Sequence, residues 1–443
     1  MSAASAPTDP SADRPAEFGA GYQRYALGLL LLVYIFNFVD RQIVTILMEA
    51  IRAEFQVSDF VLGLFGGTSF AIFYATLGIP IARWADRGSR RSLIALALAV
   101  WSVMTALQGL AKSFAFLAAA RVGVGVGEAG CSPPAHSMIA DYFPANRRAT
   151  ALGIYAMGIP IGSAIGLIAG GWIREALGWR EAFMIVGLPG LLLAVIVRLT
   201  LKEPTRGYYD GGAEPAKAQG DATESLLDVM RFLSKRRSFL HLAFAGALHA
   251  FFGYGAASFV GPFFERVHGF EPAELGLWLG LISLTTGVAG TFLGGFVADR
   301  IAHRDVRWYA WLPGIATLAA VPFVIAYYLW PERYLALIIG MAPSLLGGMY
   351  LGPTFATTQA MVPARMRAQA SAVLLLILNL IGLGLGPSFV GILSDWLRPE
   401  FGEESIRYAL LATVAGGALW STVHYIFGAR TLAQDLQAKD ALG

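Results

Sequence analysis

One cysteine, Cys131, stands in a chain of 443 residues. It excludes an internal disulfide and any metal site built from several cysteines. The six histidines, at 136, 241, 249, 268, 303 and 424, show no metal-ligand spacing. His136 follows Cys131 by five residues, but Ser132-Pro133-Pro134 between them marks a kinked helix, not a nucleophile with its base. No metal, and no enzyme, is therefore expected. No Gly-x4-Gly-Lys-Ser/Thr loop is present, which removes ATP as a direct energy source. No carbonyl-type filter sequence points to a channel. Charge is scarce as well: Asp, Glu, Lys and Arg make up 14% of the chain, against about 25% in soluble domains. The net charge of +3 is spread through loops, which argues against nucleic acid as a partner. Residues 1–20 are Ala/Ser/Pro-rich with no apolar core. They read as a short disordered tail, not a signal peptide.

What remains is apolar: 56% of residues, with mean hydropathy +0.58. Twelve spans of bilayer length follow, at 24–48, 58–82, 90–111, 114–142, 148–173, 180–201, 238–264, 272–298, 308–330, 333–361, 367–396 and 405–429. The expected fold is all-α and integral to a membrane. A polar, Gly- and Pro-containing stretch at 202–236 divides the spans six and six. The expected organisation is a tail at 1–23, bundles at 24–201 and 238–430 joined by a linker at 202–237, and a tail at 431–443. Of the 33 Lys and Arg, 23 fall on the side of both termini, 8 on the other, and Arg41 and Arg121 inside the membrane. By the positive-inside rule both termini are cytoplasmic. Short loops and the lack of an organelle signal fit a bacterial inner membrane.

The halves echo each other. Ala82-Arg-Trp-Ala-Asp86-Arg87 follows span 2, and Gly295-Phe-Val-Ala-Asp299-Arg300 follows span 8. Span 5 carries Gly158-Ile-Pro160-Ile-Gly162 with Gly166, and span 11 carries Gly382, Gly384, Gly386-Pro387 and Gly391. Such glycines let backbones approach closely. Two related six-helix bundles are the signature of a rocking transporter with its site between them.

Asp86-Arg87-Gly88-Ser89-Arg90-Arg91 resembles the 2–3 loop signature of the major facilitator superfamily, with Ala82 where a glycine is usual. The resemblance covers about 24–430 and implies that superfamily's fold of two pseudo-symmetric six-helix bundles. Asn37-Phe-Val-Asp40-Arg41, Gly125-Val-Gly127-Glu128-Ala129 and Ile159-Pro160-Ile-Gly162-Ser163 resemble its spinster branch. That resemblance implies transport of lysolipids, sphingoid phosphates or similar amphiphiles, with Asp40, Arg41, Arg121 and Glu128 as the functional charges. Symporters of sugar acids in the same superfamily also carry an Asp-Arg in span 1 and a Gly-Glu-Ala in span 4, and stand as the alternative.

The residues support a similar reading from physics. A charge inside the bilayer is expensive and usually faces a cavity or a partner. Arg121 and Glu128 lie seven residues apart, near two helical turns, on one face of span 4. Counting about 1.5 Å per residue places Glu128 at the depth of Asp40. Two acids and two bases thus converge in the first half. Asp40 and Arg41 diverge by about 100° and need not pair with each other. A purely structural ion cluster is one reading. The other is a switch: an apolar cavity raises a carboxylate's pKa and a nearby Arg lowers it. Asp40 and Glu128 then exchange protons, while Arg41 and Arg121 alternate between them and an anionic headgroup, which the Arg fork suits. The energy source is then a proton gradient, with no cofactor.

The second half shows no midplane carboxylate or Arg. It offers His249, Phe252, Tyr254, Tyr350 and Thr354, an aromatic and polar-uncharged set that suits the other end of an amphiphile. Packing alone is the plainer reading of those aromatics. Asp86, Arg87, Arg90, Arg91 and Asp299 are read as a cytoplasmic latch, with an acid capping a helix N-terminus of the opposite half. The expected partners are a lipid-like substrate, protons and the bilayer, with the chain a monomer. A membrane sensor that binds a ligand without moving it is the alternative of another class.

Overall fold

The structure, a computed structural model, describes residues 17–74, 76, 81, 84, 88–210, 226–363 and 366–440. Every regular element among these is helical. Ten helical stretches among them are long and apolar enough to cross a membrane. One of these, Gln369–Gln437, holds two helices separated by a turn at Gly402–Glu404. With the apolar helix that begins at Asp59, the spans are twelve.

In the first half, α1 is Ala20–Phe55 and α2 starts at Asp59. α3 is Arg90–Gln108, α4 Phe114–Tyr142, α5 Thr150–Ala176 and α6 Trp179–Thr200. In the second, α7 is Arg237–His268, α8 Pro272–Ala302, α9 Trp308–Leu329 and α10 Arg333–Ala360. α11 covers 367–401 and α12 is Ser405–Asp440. Several starts are sealed by side chains: the hydroxyls of Ser58, Ser89 and Ser113 accept from Val61, Ser92 and Phe116 N–H.

The glycine stripe of α5 has a direct consequence. Gly158, Gly162, Gly166 and Gly170, each four apart, lie against Tyr34, Ile35, Val39 and Ile43 of α1. A Cβ at Gly162 would run into the Ile35 carbonyl. The second half repeats the device, with Gly382 and Gly386 of α11 against Ala250 and Phe251 of α7. The halves meet each other by the same means. Gly171 of α5 lies on Pro272 at the start of α8, Gly276 of α8 on Leu167, Gly261 of α7 on Thr45, and Gly391 of α11 on Asp59. These contacts lie toward the face opposite the termini. On the face of the termini no ion pair or hydrogen bond joins the halves among the described residues. The contacts described close the molecule at the face opposite the termini.

Two segments differ from expectation. The last helix does not stop near 430. It continues to Asp440, with Leu432 buried and Asp435 accepting from Ser238 N–H and Oγ–H at 2.8 and 2.5 Å. Within the linker, Leu226–Ser234 forms a helix burying Val229 and Leu233.

Residues 202–210 fold back on the first half. Glu203 accepts from Arg90 Nε at 2.8 Å and from the Arg91 amide at 2.9 Å. Burial alone would raise its carboxyl, but the Arg90 bond and the Arg91 amide outweigh it and hold the group below the ordinary carboxylate value. A depressed folded pKa contributes stability above the unfolded value, lost as pH falls through the folded one. Glu203→Gln should therefore cost about 1.5–3 kcal/mol at pH 7. Thermal unfolding should show the gap from wild type narrowing below about pH 4.

Candidate functional site

The first-half charges meet as the helical spacing requires. Arg41 Nε donates to Glu128 Oε2 at 2.5 Å. The Glu128 side chain is fully buried, while that of Arg41 keeps 20% of its surface exposed. Glu128 ends the first part of α4. There Gly130 and Cys131 N–H turn back to Gly127 and Glu128 C=O, and Ser132-Pro133-Pro134 restarts the helix. The predicted kink thus presents the carboxylate at a break. Arg41 is also ringed by Phe38, Phe70 and Tyr74 at 5.1, 4.9 and 4.8 Å from the ring centres. Arg121 faces Phe70 from another side at 5.0 Å and donates to the Asp40 carbonyl at 3.4 Å. Such stacking is worth about 0.5–2 kcal/mol per cation and needs no carboxylate. Both guanidiniums therefore keep support when a charge partner changes.

Beside this cluster lie two adjoining chambers. The smaller, about 80 Å³, is bordered by Arg41, Arg121, Phe38 and Phe70. The larger, about 490 Å³, reaches into the second half, with His249, Phe252, Tyr254, Tyr327 and Tyr350 in its wall. Gln42, Thr45, Tyr254 and Ala257 border both. His249 stacks on Tyr350 with ring centres 4.0 Å apart, and its Nδ1 lies 3.4 Å from the Thr317 hydroxyl. Charge at one end and aromatic, apolar wall at the other make an amphiphilic space.

Thr354 departs from expectation. It is buried away from both chambers and donates to the Tyr350 carbonyl at 2.7 Å. Tyr350 and Thr354 share one helical turn, but the short Thr354 side chain packs between Gly246 of α7 and Tyr425 of α12, and only the longer Tyr350 reaches the cavity. Gln42, Thr45 and Thr317 line the space instead. Gln42 and Thr45 follow Arg41 by one and four residues, the signal in the sequence that would have found them.

The expected latch residues also stand apart. Asp86 and Arg87 lie outside the described residues. Arg90 is buried, bonding Asp141, Ser137, Glu203 and the Pro204 carbonyl. Arg91 donates to the Leu201 carbonyl, and Asp299 accepts from Tyr309. Each of the described ones stays in its own half or the adjoining linker. The capping foreseen for them occurs at the opposite face with other residues. Asp395 of α11 accepts from the Asp59 and Phe60 amides that start α2, at 3.0 and 2.8 Å. Asp59, fully buried, takes two bonds of 2.8 Å from Arg266 of α7 and one of 2.7 Å from Ser394. Arg266 also donates to Glu49 at 2.7 Å, and Arg174 forks onto Glu265 at 2.6 and 2.7 Å.

Two bundles of six spans, related by repeated corners and closed over a charged midplane site, match the profile of the Major Facilitator Superfamily across residues 30–387. The chain belongs to the major facilitator superfamily. It is 34% identical to an MFS-type efflux pump of Mycolicibacterium smegmatis, over 93% of this chain and 94% of that one. It is 28% identical to human protein spinster homolog 1, over 89% of this chain and 79% of that one. A solved bacterial homologue of the human lysosomal transporter spinster, inward-facing and unoccupied, superposes with a TM-score of 0.86 at 35% identity, covering 94% of this chain and 99% of that one. Within the superfamily the chain falls in the spinster branch. It is a multi-pass membrane transporter, not an enzyme.

Proposed function

We propose that this major facilitator protein moves an amphiphile with an anionic or zwitterionic head, of the lysophospholipid or sphingoid-phosphate type, by proton-coupled alternating access. The reading places it in a bacterial inner membrane with both termini cytoplasmic, so that the closed face is the outer one. The observation that carries it is the pair of joined chambers. Arg41 and Arg121 offer forks to a phosphate, and the larger chamber offers aromatic and aliphatic wall to a chain. A sugar acid would leave most of that wall against hydroxyls, at a cost in unmatched polar groups.

Purified protein titrated with lysophosphatidic acid and, separately, with glucuronate tests this. Lysophosphatidic acid should bind and compete away any glucuronate signal. Tyr350→Ala should weaken its binding about 3- to 10-fold through the lost stack and wall. Tight glucuronate binding that lysophosphatidic acid leaves intact would overturn the amphiphile reading.

A further inference from the structure

The charge cluster has two sides, and only one of them borders the chambers. Arg41 and Gln42 line them; Asp40 lines neither. Its carboxyl faces Trp101 and Thr105 of α3. Trp101, Thr105 and Gln108 are spaced i, i+4, i+7, which makes them one stripe of that helix. The stripe is closed to solvent, at 0, 1 and 0% exposure, with Asp40 at 2%. Yet Trp101 and Thr105 turn their donors toward the Asp40 carboxyl without closing a hydrogen bond of good geometry, and both amide atoms of Gln108 have no hydrogen-bond partner among the described residues. A buried polar group left unsatisfied destabilises the fold. Packing alone would be better served by Leu and Val along that file. Buried polar groups of this kind are ordinarily bridged by ordered water. Gln108 closes the last turn of α3, four residues before exposed Lys112 on the closed face. Asn37, one turn before Asp40 and Arg41, also has both amide atoms unpartnered and lies beside Glu128.

We infer that this stripe is a proton route running from the closed face to Asp40 inside the first bundle, separate from the substrate chambers. It rests on the proton-coupled reading above. A proton passes along water held by the Gln108 amide and by way of the Thr105 hydroxyl to the Asp40 carboxylate, which becomes neutral. It then moves past Asn37 to the Glu128 carboxylate, which sits behind Arg41 in the wall of the smaller chamber, and leaves into that chamber once Arg41 swings aside. No electron moves and no co-reactant is needed. The charged groups facing Asp40 are Arg121 and Glu128 of α4, with Arg41 beside it on α1. While Arg41 holds Glu128 at 2.5 Å the second hop is blocked. An anionic headgroup that draws Arg41 away opens it, so the proton does not leak when the chamber is empty.

The test uses the full chain in liposomes, with lysophosphatidic acid as probe and an imposed pH gradient, in Thr105→Val, Gln108→Leu and Thr105→Ser. Losing one relay group should slow gradient-driven uptake about ten-fold or more. Counterflow exchange at equal pH, which needs no net proton, should stay within about two-fold of wild type. Thr105→Ser should restore the wild-type rate and pH profile. Wild-type uptake indifferent to the gradient would sink the coupling reading itself. A coupled wild type with Thr105→Val and Gln108→Leu equally coupled would sink the route alone. Equal loss of counterflow and uptake, unrescued by Ser, would make the stripe structural and overturn the route as well.

Discussion

Glu128→Gln is expected to lower gradient-driven transport by on the order of 100-fold or more, the usual weight of a positioned proton-transfer group. The amide keeps the shape of the carboxyl but has no proton to exchange near neutral pH. Among the described residues Glu128 bonds Arg41 through one oxygen, with the Asn37 amide beside it. Removing its charge therefore frees the Arg41 guanidinium. Breaking a buried pair usually costs about 3–5 kcal/mol, because the surviving charge is stranded. Here the survivor is partly open to the chamber and stacked among three rings, so the folding penalty should fall well short of that. A freed Arg41 is also a better phosphate ligand. The variant should therefore bind lysophosphatidic acid at least as tightly as wild type while losing uptake driven by pH. Glu128→Asp, which can still titrate, should retain part of it. Gradient-driven uptake in Glu128→Gln at the wild-type rate, in protein that elutes as a folded species, would remove Glu128 from the coupling step.

Local periodicity carried the parts of this molecule that local periodicity determines. Span length and the polar break at 202–236 marked the helices, and the four-residue glycine spacing of α5 marked a close helix contact that α1 fills. Counting rise per residue on two antiparallel helices put Glu128 at the depth of Asp40, and the residue that bonds it is the neighbouring Arg41. Thr354 was misplaced for an equally physical reason. It shares a helical turn with Tyr350, but its short side chain is taken up between Gly246 of α7 and Tyr425 of α12, a contact that no local pattern encodes. The ionic layer of the closed face was not legible at all. Arg266 and Asp59 are 207 residues apart, and their pairing depends on which face of the two-bundle assembly is shut. The repeated acids at Asp86 and Asp299 point to the face of the termini. The same capping chemistry was present at the other face, in an acid whose sequence surroundings show no repeat.

That layer makes the second large prediction. Asp59→Asn keeps volume but removes the charge that Arg266 clasps through two bonds of 2.8 Å. Arg266 has a side chain only 3% exposed, so it is left with Glu49 as its close acid. The loss expected for such a buried pair is about 3–5 kcal/mol. Because Asp59 belongs to the first half and Arg266 to the second, the whole of it falls on the arrangement closed at this face. An opposite arrangement that separates the halves here loses far less, since water solvates both groups there. At about 1.4 kcal/mol per decade, the balance between the two should move by two to three and a half decades toward opening. Spin labels at Gln56 and Glu400, both exposed near this face on opposite halves, would report it as a longer distance distribution in Asp59→Asn than in wild type. Replacing both partners by apolar residues, Asp59→Leu with Arg266→Met, strands no charge and should return much of the short population. An unchanged distribution in Asp59→Asn would mean that glycine-mediated packing between α5 and α8 and between α2 and α11 holds this face shut without the ions, and the gate would then be one of shape rather than charge.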